Sequence, residues 1–199
     1  QTCALPISFF ELGFTTIITQ FVAHEVSHLK LLKNNVIEGE DLYKSRLSSL
    51  LNFSIKWYAV ASLLFLSIVL PIGYWFFRGG NDGVSWQIPW IMVSIATAIK
   101  MFQAPLTAIL MGLDKVTEMN KVIFYQQFVH PIIVCVGLAT NCKLYVLGIS
   151  SCVSVSIWFL YVWRSNLVTL LKNVYNEQVD EKVDYLKEIF PYQWRIALS

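Results

Sequence analysis

Residues 87–111 read QIPWIMVSIATAIKMFQAPLTAILM, and the reading of this stretch decides the fold. About 20 mainly apolar residues cross the hydrocarbon core of a bilayer, and this run is longer than that. Trp86 and Trp90 stand at one end, where indoles favour the headgroup boundary. Lys100 sits near the middle, followed by Gln103, Pro105 and Thr107. A lysine at that depth is unfavourable by roughly 2.5–3.5 kcal/mol on insertion scales, so it faces a wet cavity or a counter-charge. The i, i+3, i+7 spacing puts Lys100, Gln103 and Thr107 on one helix face. Two readings follow. The face lines a water-filled path for something anionic, or Lys100 pairs with a carboxylate such as Glu25 and holds two helices together.

Working outward, the composition agrees with a membrane chain. It is 56% hydrophobic, 15% aromatic and 14% charged, with a mean hydropathy of +0.56. Soluble chains carry about 25% charged residues, so the expected class is an all-α, polytopic transmembrane bundle. Residues 1–7 (QTCALPI) resemble the translation of a sequencing adapter and are set aside as non-native. About five spans are expected after them, at 8–31, 52–77, 87–111, 122–140 and 144–163, giving a bundle over 8–164. The first span is polar, with Gly13, Thr16, Gln20, His24 and Ser27 at helical spacing. Such a stripe suits close helix packing in lipid or the wall of a cavity. The second has an uncharged core from Tyr58 to Leu70, and the fourth carries Gln126, Gln127, His130 and Pro131. Residues 165–190 keep apolar side chains at helical spacing among charges, which predicts an amphipathic cytoplasmic helix. Residues 191–199 open a further transmembrane run, so the chain reads as an internal fragment.

Charge gives the orientation. Twelve of the fifteen lysines and arginines fall at 32–53, 112–121 and 164–190 or their flanks; only Arg78 and Lys143 lie opposite, with Lys100 inside. Cytoplasmic loops carry the excess of basic residues, so those three segments are expected in the cytoplasm.

Enzyme chemistry finds no foothold. There is no P-loop, GxSxG or HExxH, and the cysteines left after Cys3 form no metal or disulfide pattern. His24 and Glu25 are adjacent, and a helix points adjacent side chains apart, so they are expected to make a poor acid–base pair. His24 and His28 lack an evident third metal ligand, so no metal or other cofactor is expected. No nucleic-acid-binding pattern of basic and aromatic residues is present.

The chain also resembles a family. Phe10-Glu-Leu-Gly-Phe14 resembles the opening of the second helix of polysaccharide-export (O-antigen) flippases, a branch of the multidrug/oligosaccharidyl-lipid/polysaccharide superfamily. Gly112-Leu-Asp-Lys-Val116 resembles the link after their fourth helix, and Phe190 to Ser199 the approach to their seventh. Glu11 departs from the Asp expected more often in the opening motif. The resemblance implies one lobe of a two-lobe flippase in the bacterial inner membrane. Its cargo would be a polyprenyl-diphosphate-linked oligosaccharide for cell-surface polysaccharide, and its partners membrane lipids and a glycan polymerase. Lys100 would meet the diphosphate. Gln103, Gln126, Gln127, His130, Gln20, His24 and Glu25 would line the cavity, and Pro105 and Pro131 would let helices bend. The competing reading is a drug or cation antiporter of the same superfamily, with Glu25 as its lone cavity acid.

Overall fold

A computed structural model of the chain describes residues 14–31, 37–78, 85–140 and 142–176. Helix α1 spans Phe14–Val26, strands β1 Leu29–Leu31 and β2 Ile37–Gly39, and helix α2 Asp41–Arg78. Helices α3 Gln87–Leu110 and α4 Val116–Ala139 are joined by the turn Met111–Lys115, and α5 Tyr145–Arg164 and α6 Leu167–Asn176 complete the order. Among the described residues the fold is all-α apart from one antiparallel strand pair, in which Leu29 faces Gly39 and Leu31 faces Ile37. Three helical runs among the described residues are long and apolar enough to cross a membrane: Asp41–Arg78, Gln87–Ala139 and Tyr145–Arg164.

Local chemistry explains the boundaries. Asp41 in the first turn of α2 complements the helix dipole. At 1.5 Å per residue the 38 residues of α2 extend about 57 Å, far beyond a hydrocarbon core of about 30 Å. The second expected span began at residue 52, but the helix starts at Asp41, inside the stretch expected to be a charged connector. That early part is helical because Leu47, Leu50 and Leu51 have a core to enter, each at 1% exposure or less. The connector also contains β2, whereas its partner β1 lies in the first expected span. The first span was expected over 8–31; among the described residues its helix ends at Val26, followed by a turn and β1.

The turn between α3 and α4 departs from helical geometry at Leu113 (φ −79°, ψ 23°) and Asp114 (φ 62°, ψ 22°). Asp tolerates this left-handed conformation better than most residues. The buried Gly112 is required there: a Cβ would stand 2.5 Å from Val22 Cβ and 2.9 Å from the Thr19 carbonyl of α1.

The chain divides into two compact units. The first comprises Gln1–Ile55, Ala104–Val116 and Leu167–Ser199. Its core joins Ile18 and Val22 of α1, Leu50 of α2, Ile109 of α3, Leu113 of the turn and Leu170 of α6, all fully buried. Leu167, Leu170 and Val174 form the buried face of α6, as the helical spacing predicts; residues 177–190 of that expected helix, and 191–199 after them, lie outside the described residues. Thr19 Oγ1 reaches both its own helix at Thr15 O (3.0 Å) and α3 at Ala108 O (3.2 Å).

The second unit comprises Lys56–Gln103 and Thr117–Asn166. Its helices touch closely where side chains are small. Gly73 of α2 receives the Trp90 indole, leaving no room for a Cβ, and Gly148 of α5 lies under Met92. Large apolar side chains, such as Leu63, Ile68 and Ile72 on α2 and Phe124, Phe128 and Val136 on α4, stay exposed. Exposed apolar side chains in such number mark contact with lipid or protein, and lipid fits helices of this length.

Candidate functional site

Lys100 is exposed near the middle of α3. Gln103, one turn on, is 4% exposed and its Nε2 donates to the Val155 carbonyl of α5 at 3.2 Å. The face shared by Lys100 and Gln103 therefore straddles an edge: the lysine stays outside the α3–α5 contact and the glutamine lies in it. Thr107, which falls in the first unit, is half-buried.

Gln126 of α4 behaves like Gln103. Its Nε2 donates to the Ser154 carbonyl at 2.8 Å, so two helices send an amide to consecutive carbonyls of α5. Interhelical polar contacts of this type hold membrane helices together where the hydrophobic effect contributes little. Gln127 is exposed, and His130 is half-buried with Nδ1 enclosed and without a hydrogen-bond partner. Pro105 and Pro131 lie inside α3 and α4, and neither ends its helix.

Glu25 occupies a different setting in the first unit. It is 2% exposed, and its Oε1 lies 3.2 Å from Arg46 Nε on α2. The Arg46 guanidinium also sits over the Phe21 ring, 5.5 Å from its centroid. Glu25 Oε2 is buried without a hydrogen-bond donor. His24 Nδ1 comes to 3.8 Å from Glu25 Oε1, beyond hydrogen-bond distance, with the imidazole exposed and the carboxylate buried. His28 stacks on Tyr43 of α2, centroids 4.5 Å apart and planes 10° apart, and meets His24 edge-on at 5.6 Å. Among the described residues no group of three metal-ligating side chains converges.

The polar stripe of α1 is turned outward. Thr16, Gln20, His24 and Ser27 are exposed, whereas Ile17, Ile18, Val22 and Glu25 are buried; Gly13 lies outside the described residues. Thus Lys100, Gln20, His24 and Gln127 are exposed, while Gln103 and Gln126 tie helices together. Arg46, the partner that neutralises Glu25, escaped the sequence reading because it counted only as one of the topology-setting cations. No family model, curated protein or solved structure matches the chain.

Proposed function

We propose that this chain is part of a membrane transporter that flips a polyprenyl-diphosphate-linked oligosaccharide across the bacterial inner membrane, with Lys100 meeting the diphosphate. About five spans of one lobe, with the charged segments 32–53, 112–121 and 164–190 in the cytoplasm, make up this part in that reading. One observation carries it: Lys100 is exposed at mid-helix, while Glu25, the carboxylate expected to neutralise it, is engaged by Arg46. An intramembrane ammonium on an open helix face suits an anionic cargo group, which it meets as a compact point charge. The antiporter reading fits less well, because an acid already ion-paired with a guanidinium is a poor cation site.

The test is reconstitution of the intact protein in vesicles with a fluorescent polyprenyl-diphosphate sugar in one leaflet. Lys100→Ala is expected to slow flipping at least tenfold, the change that loss of about 1.4 kcal/mol produces, with Lys100→Arg retaining most of the rate. Wild-type flipping by Lys100→Ala removes the lysine from the site, and no flipping by the wild-type protein removes the activity.

A further inference from the structure

The α4–α5 corner of the second unit encloses an apolar groove of about 240 Å³. Ile132, Val136 and Gly137 of α4 form one wall, Val146 and Ile149 of α5 the other, and Cys142 of the connecting turn closes one end. The helices cross closely because Gly137 has no side chain; a Cβ there would stand 2.6 Å from a Val146 methyl. Thr140 and Cys142 are both tied back to α4. Cys142 N donates to Gly137 O at 3.0 Å, and Thr140 Oγ1 lies 3.1 Å from Val136 O and 3.2 Å from Cys142 Sγ. Next in sequence comes Lys143, exposed and held at φ 49°.

We propose that this corner is a binding site for one anionic phospholipid of the bilayer, its acyl chain in the groove and its phosphate on Lys143. Both helices belong to runs long and apolar enough to cross a membrane, so a groove on their surface near one end opens where acyl chains begin. Its wall offers hydrocarbon and one thiol, which matches a chain and does not match a sugar or an ion. The charge complementarity is specific to this place. On the side of the membrane to which the α4–α5 turn is assigned by charge, Lys143 and Arg78 are the basic residues, and Lys143 directly follows the cysteine that closes the groove. A basic residue near a surface of anionic lipid is worth about 1 kcal/mol, a factor of about five. The inference stands apart from the flippase reading, since it concerns a resident lipid of the membrane.

The test is native mass spectrometry of the intact protein released from nanodiscs of equal phosphatidylglycerol and phosphatidylcholine. One phosphatidylglycerol is expected to be retained about fivefold over phosphatidylcholine. Lys143→Glu should abolish that preference, and Ile149→Trp, which fills the groove, should remove the retained lipid of either kind. Circular dichroism of both variants separates loss of the site from loss of the fold. Equal retention of the two lipids by the wild-type protein, or wild-type retention by a folded Ile149→Trp variant, overturns the proposal. Added polyprenyl phosphate that displaces the phosphatidylglycerol at equal concentration would also overturn it, by assigning the groove to an isoprenoid cargo.

Discussion

A carboxylate at 2% exposure beside the Arg46 guanidinium has little tolerance for losing that partner. Removing one member of a buried pair leaves an uncompensated charge and destabilises by about 3–5 kcal/mol. Arg46→Met is therefore expected to lower stability by about 3 kcal/mol, measured by denaturant unfolding of the protein in micelles. Replacing both members with apolar residues, Glu25→Leu with Arg46→Met, should recover most of that loss, because the pair is then removed whole. A single variant as stable as wild type would show that water reaches the carboxylate. Arg46→Lys should fall between, since lysine keeps the charge but loses the planar group that sits over Phe21.

At the scale of elements, α5 is held by amides from α3 and α4. Gln103→Leu and Gln126→Leu are each expected to cost about 0.6 kcal/mol and at most about 1.7, the mean and the upper end for hydrogen bonds between membrane helices. Steric unfolding titrations of the single and double variants check this, and no loss in either would reduce the two contacts to incidental ones. Gly73→Ala is the complementary case: the new methyl must displace the Trp90 indole. Overpacking of that kind costs about 1–3 kcal/mol, read together with a shift in tryptophan emission. How legible these elements were depends on the physics behind each. The ends of α3 and α5 fell within one residue of expectation, because hydropathy changes abruptly at Gln87 and Arg164. The start of α2 did not, because residues 41–51 are polar by composition and become helical through the burial of Leu47, Leu50 and Leu51. The amide ties were illegible for the same reason that Gln103 was expected in a cavity. Depth in a membrane requires a partner for a polar group, but spacing along one helix does not say whether that partner is cargo, water or a neighbouring carbonyl. The Glu25–Arg46 pairing is likewise a product of tertiary placement, since the two residues lie on different helices joined by a hairpin.

For the whole molecule, the orientation proposed from the charge distribution can be tested directly. In a variant without native cysteines, Lys143→Cys is expected to react with a membrane-impermeant maleimide added outside intact cells. Glu118→Cys, which follows the turn between α3 and α4, should react only after permeabilisation. The reverse pattern would invert the topology and place residues 112–121 outside.

The buried pair has a consequence for how the chain is made. Glu25 leaves the ribosome 21 residues ahead of Arg46, a lag of roughly one to four seconds at 5–20 residues per second. During that interval the acid has no guanidinium to neutralise it, so α1 emerges as a segment ill suited to partition into lipid alone. Its final seating waits for the start of α2, because the counter-ion of the acid has yet to be translated.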